Sequence, residues 1–143
     1  MICTFFGHKN SPEWVKKALK IKIVKLIQCE KIDRFYVGNN GNFDFYAQTV
    51  LRELIEEGYD LSYCIVLSRI NESAACGEQA ATVFPLELVG ALPRFAISKR
   101  NEWLIKNSDC VITYCVQKMS NSYKWTEKAL KKGLKIIQLS RTE

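Results

Sequence analysis

The feature that most constrains this chain is an alternation. Five short apolar runs are spaced along it: "ICTFF" (Ile2–Phe6), "RFYV" (Arg34–Val37), "SYCIVL" (Ser62–Leu67), "CVITYC" (Cys110–Cys115) and "KIIQL" (Lys135–Leu139). Near-continuous apolar runs this short read as strands buried on both faces. Segments with helical spacing separate most of them. A strand–helix–strand series closes by right-handed crossovers into a parallel sheet with helices on both faces.

The helical segments carry their own signals. Ser11 is placed as an N-cap with Pro12 at the first helical position, opening a helix to about Gln28. Its inward stripe is Val15, Ala18, Leu19, Ile23, Leu26 and Ile27. A second helix is marked by Phe43, Tyr46, Ala47, Val50, Leu51, Leu54 and Ile55, and Gly58 stops it. "RFAISKRNEWLIKNSD" is expected to be a third, entered from Pro93, and "SYKWTEKALKK" a fourth, closed by Gly133. Residues 68–92, holding Pro85 and Gly90, are the least regular part, and a connection that long is usually functional or mobile. Without repeats, low-complexity tracts or a linker, residues 1–143 are expected to form one domain. The expected fold class is α/β: a Rossmann-like three-layer α/β/α sandwich with a parallel sheet of about five strands.

A hydrophobic share of 48% with 25% charged residues is that of an ordinary soluble protein. The opening "MICTFFGHK" has no basic start, and no window approaches the roughly 18 apolar residues of a membrane helix. A cytoplasmic protein without a membrane partner is therefore expected. Of six cysteines, Cys3, Cys64, Cys110 and Cys115 lie in or beside strand-like runs, and Cys29 and Cys76 stand alone. With no C-x-x-C pair and His8 as the only histidine, reduced thiols and no metal are expected, and no cofactor. The net charge of +6 owes much to Lys16, Lys17, Lys20, Lys22 and Lys25 on the first helix. That helix reads as a solvated face. Its lysines are not interleaved with aromatics as a base-stacking groove requires, so nucleic acid is not the expected partner.

In open parallel sheets ligands bind outside the carboxyl ends of the strands. Weight therefore falls on Gly7-His8-Lys9, Gly38–Asn42, Ser68-Arg69 and Gln117–Ser122. Gly7 lets the backbone leave the first strand, and His8 and Lys9 bring donors for an anion. In "FYVGNNGNFDF", Gly38, Asn39, Asn40, Gly41, Asn42 and Phe43 join a strand to a helix. There close backbone approach and free helix N-terminal N–H groups favour an anion. This is not the G-x-G-x-x-G dinucleotide fingerprint. Asp44, in the first helical turn, either complements the helix dipole or meets a ribose hydroxyl. Arg100 and Asn101 lie near the edge of a helix stripe formed by Ala96, Ile97 and Leu104, where a plain surface arginine is equally expected. Glu127 either favours its helix N-terminus or points into the cleft.

Three pieces together, "CTFFGHK", "FYVGNNGNFDF" and "AISKRNEWLIKNSDCVITYC", resemble the SLOG superfamily, nearest to its small YpsA-like branch of Firmicutes and their phages. The resemblance covers nearly the whole chain except residues 68–92. It implies a Rossmann-like domain assembled as a homodimer or homotetramer, and kinship with LOG phosphoribohydrolases, the DNA-processing protein DprA and nucleotide-signal sensors. By motif position, Arg100 and Glu127 match the arginine and glutamate that carry N-glycosidic hydrolysis in LOG enzymes. Where those enzymes have P-G-G-x-G-T, this chain reads "QKMSNSYKWTE", with no glycine between Gly90 and Gly133. Ser120, Asn121 and Ser122 would have to hold a ligand by side chains instead. The resulting expectation is a non-catalytic binder of an ADP-ribose-type or cyclic nucleotide signal, a sensor or a sequestering sponge such as phage counter-defence proteins provide. A LOG-like nucleoside-monophosphate hydrolase is the alternative, and single-stranded nucleic-acid binding a third.

Overall fold

The computed structural model describes residues 1–69, 81–116 and 120–139. Residues 70–80, with Cys76, residues 117–119, on which part of the expected Gln117–Ser122 segment falls, and residues 140–143 lie outside the described residues. The elements in chain order are β1 (Ile2–Gly7), α1 (Trp14–Glu30), β2 (Arg34–Val37), α2 (Asn42–Glu56), β3 (Ser62–Val66), β4 (Ala81–Val83), α3 (Pro93–Lys106), β5 (Cys110–Tyr114), α4 (Asn121–Lys131) and β6 (Lys135–Gln138). A 3-10 turn covers Leu86–Leu88.

Among the described residues six strands form one sheet in the order β4-β3-β2-β1-β5-β6, every pair parallel. The chain is thus an α/β protein of Rossmann-like architecture. It walks outward from β1 through β2 and β3 to β4, then returns to the other side of β1 for β5 and β6. The direction reverses between β1 and β5, whose ladder runs from Cys3 opposite Cys110 to Gly7 opposite Tyr114. A crevice opens at that reversal, outside the carboxyl ends of the two strands.

Strand alternation sorts the core into two layers. Cys3 and Phe5 of β1, Phe35 and Val37 of β2 and Cys110 and Ile112 of β5 pack with Val15, Leu19, Ile23 and Leu26 of α1 and with Ala47, Val50, Leu51 and Leu54 of α2. Phe6, Val66 and Val111 point the other way, against Leu104 and Ile105 of α3 and Ala129 of α4. Lys16 and Lys20 of α1 face α2, where they pair with Glu53 (3.4 and 3.8 Å), and Lys20 also with Glu57 (2.6 Å).

Three expectations are corrected. The sheet has six strands rather than about five. The additional strand, Ala81–Val83, is only three residues long and lies on the edge beside β3, too short to show a period. The first helix begins at Trp14, not after Ser11. Ser11 is buried, and its hydroxyl donates to the His8 carbonyl at 2.7 Å instead of capping the helix. It ends at Glu30 rather than about Gln28, with Lys31 in the left-handed region at φ 55°. Finally, Ile97 is 41% exposed rather than part of the buried stripe. Among the described cysteines, Cys3, Cys29, Cys64, Cys110 and Cys115 are free thiols. No described helix is long and apolar enough to cross a membrane.

Gly7 ends β1 against the ring of Phe43, where a Cβ would stand 2.2 Å from the nearest ring carbon. A Gly7→Ala substitution is therefore expected to destabilise the fold by about 1–3 kcal/mol through overpacking. Denaturant unfolding measures this, and a smaller ring-replacing side chain in the double variant Gly7→Ala/Phe43→Leu should recover part of the loss.

Candidate functional site

The loop after β2 is built around a buried charge. Arg100, on α3, is only 4% exposed, and Asp44, in the first turn of α2, is 6% exposed. Both reach the space beside Gly38. A Cβ there would stand 2.7 Å from Arg100 Nη1 and 2.7 Å from Asp44 Oδ2, so the position has room only for hydrogen. Arg100 donates from Nη2 to Asn101 Oδ1 at 2.9 Å and from Nε at 3.3 Å. The arginine for which a surface place was equally expected is thus a core residue whose charge faces a carboxylate.

Burial pushes the Asp44 carboxyl up from its ordinary value, against the lowering effects of the Arg100 charge and of the Asn40 N–H. That N–H donates to Asp44 Oδ2 at 2.9 Å. The Asn42 N–H donates to the Lys9 carbonyl at 2.8 Å, and Gln48 Nε2 donates to the Gly38 carbonyl at 2.7 Å. Gly41, at φ 90°, lies against the Lys9 backbone. The expectation of free backbone donors in this loop is therefore corrected at Asn40 and Asn42. Their N–H groups hold the loop to α2 and to the end of β1, and the donors left for a ligand are on side chains.

Those side chains meet in a cavity of about 310 Å³ at the β1/β5 crevice. Gly7 and Lys9 come from the end of β1, Asn40 and Asp44 from the β2–α2 connection, Arg94, Ser98, Arg100 and Asn101 from α3, and Asn121, Ser122 and Trp125 from α4. Lys9, Arg94 and Arg100 stand against one carboxylate, Asp44, so the field favours an anion. Asn40 Nδ2 is buried with no hydrogen-bond partner among the described residues, as is Asn39 Oδ1. A buried amide donor without a partner is costly unless a ligand or water satisfies it.

Other expected site residues have different employment. His8 Nε2 accepts from the Val116 N–H at 2.9 Å, and its ring stands edge-on to Tyr114 at 5.5 Å. It holds the exit of β5 and does not line the cavity. Phe43 is enclosed in the core against Gly7 and Phe5. Ser120 caps α4, accepting from the Tyr123 N–H at 3.2 Å. Asn42 is exposed. Glu127 is absent from the cavity lining and bonds Tyr123, whose hydroxyl it pushes above its ordinary pKa.

Arg94, Ile97, Ser98 and Trp125 line the cavity without having been singled out. Spacing held the signal: 94, 97, 98 and 101 share one face of α3, and 121, 122 and 125 one face of α4. Comparison with models of known protein families gives no match, and comparison with curated protein sequences gives none either.

Because folded Asp44 holds its proton to higher pH than an unfolded carboxyl does, its contribution to stability is present at low pH. It is lost as pH rises from about 3.9, the ordinary carboxylate pKa, towards the raised folded value. Asp44→Asn removes this dependence. The stability of the parent relative to Asp44→Asn should fall across that window and be level on either side. Urea unfolding of both proteins at stepped pH measures it, and parallel curves would contradict the burial argument.

Proposed function

We propose that the protein binds a nucleotide-derived small molecule of ADP-ribose or cyclic-nucleotide type at the β1/β5 crevice and holds it without turnover. The single observation behind this reading is that Lys9, Arg94 and Arg100 line one cavity with a buried Asn40 amide donor that has no partner among the described residues. Cations suit a phosphate, and the amides and hydroxyl of Asn101, Asn121 and Ser122 suit ribose hydroxyls. Trp125, on the cavity wall, supplies an aromatic surface for a base. The volume is at the small end of ligand pockets, about 300–1,000 Å³.

Membership of the SLOG superfamily belongs to the same proposal, as does assembly into a homodimer or homotetramer. A binding site without turnover acts by sensing or by sequestration, the latter being how a phage would blunt a nucleotide signal. Hydrolysis is the weaker alternative, because Glu127 faces Tyr123 rather than the cavity and no glycine loop precedes α4.

Mass spectrometry of small molecules retained by purified protein after exposure to nucleotide extracts should recover a phosphate-bearing nucleotide derivative. Lys9→Ala and Asn40→Ala should each weaken its binding about tenfold or more, the loss of one hydrogen bond to a charged group. Incubation with AMP and related monophosphates should release no free base. Base release abolished by Glu127→Gln would overturn the non-catalytic reading.

A further inference from the structure

We propose that the cleft between α3 and α4 is a second binding surface, taking a single-stranded oligonucleotide, with Lys106, Lys128, Lys131 and Lys132 on its phosphates and Trp125 stacking a base. The cleft encloses about 860 Å³, against about 310 Å³ for the crevice site. Those four lysines border it with a single carboxylate, Glu102. The lysines first considered for nucleic acid, on α1, differ in kind. Lys16 and Lys20 are engaged by Glu53 and Glu57. Among the described residues no ion pair involves Lys106, Lys128, Lys131 or Lys132; the pairs found fall on Lys16, Lys20 and Lys135.

The occupant follows from what the cleft offers. Ile105 and Leu134 form its floor, buried at 6% and 9% exposure. What the cleft leaves unbalanced is positive charge beside an aromatic ring. Trp125 is half-buried and borders both cavities, and Lys128 Nζ lies 4.5 Å from its ring centroid. Cations interleaved with an indole are the combination that single-strand binding uses, phosphates on the former and bases on the latter. The 11 residues of α4 span about 16 Å, room for about four stacked nucleotides at roughly 3.4 Å each. Last-turn lysines also complement helix dipoles, but that role does not require them to converge on one cleft with an indole.

Fluorescence anisotropy with a labelled oligothymidylate of about ten nucleotides tests this. Binding is expected to weaken with salt at a logarithmic slope of about −0.7 per phosphate neutralised. Lys131→Glu and Lys132→Glu, both at exposed positions, should each weaken it at least about tenfold and make the slope shallower, with the melting temperature unchanged. Trp125→Leu should weaken it about five- to hundredfold, while Lys16→Gln/Lys20→Gln should leave it as it was. Absence of binding, indifference to the Lys131 and Lys132 changes, or tighter capture of an oligoglutamate than of the oligonucleotide would overturn the proposal. Inorganic polyphosphate binding as tightly as the oligonucleotide, with no effect of Trp125→Leu, would overturn the role of the indole. If Trp125→Leu does not fold, the two lysine variants still decide the question.

Discussion

The buried guanidinium of Arg100 is the constraint on which this molecule's sheet edge depends. A cation at 4% exposure needs opposite charge and hydrogen-bond acceptors close by, because removing it from water costs several kcal/mol. Asp44 and Asn101 supply them. The approach of Arg100 and Asp44 excludes a side chain at position 38, and Asp44 in turn draws in the Asn40 N–H. One charge thereby ties α3, the β2–α2 connection and the first turn of α2 together at the crevice where the sheet order reverses.

That arrangement changes how the loop can recognise anything. A glycine-rich turn before a helix ordinarily offers its backbone N–H groups to an anion. Here the N–H groups of Asn40 and Asn42 are spent on Asp44 and the Lys9 carbonyl. The donors that still face the crevice are on side chains: the Asn40 amide, the cations of Lys9, Arg94 and Arg100, and the polar first turn of α4. The absence of glycine before α4 fits the same pattern, since Ser120 is occupied in capping that helix. A site of this kind is shaped by rotamers and charge rather than by a backbone cradle.

Much of the architecture was legible because it rests on pattern. All five apolar runs match their strands to within a residue, and the fold class follows from their alternation with helices. β4 was not legible, since three residues on an exposed edge are too few to carry a period. The start of α1 was misplaced because the Ser11 hydroxyl donates to the His8 carbonyl instead of accepting from a helix N–H. The site was visible in outline at the strand ends, in Gly7, Lys9, Asn40, Asp44 and Arg100. Phe43 and His8 stood in the same short motifs yet serve the core and the β5 exit, because which way a loop side chain turns is decided by tertiary packing. Helical spacing puts Arg94 and Ser98 on one face of α3 and Trp125 on one face of α4, but which face meets the crevice is set by tertiary packing.

The central claim is that the side-chain donors of the β1/β5 crevice are where a nucleotide-derived ligand sits. The most direct measurement is nuclear magnetic resonance of the side-chain amide and indole protons during titration with ADP-ribose and cyclic nucleotides. The account predicts that one of these ligands shifts the Asn40 and Asn121 side-chain amides and the Trp125 indole together, with the α1 resonances unmoved. Saturating binding that leaves the Asn40 amide unshifted would contradict it.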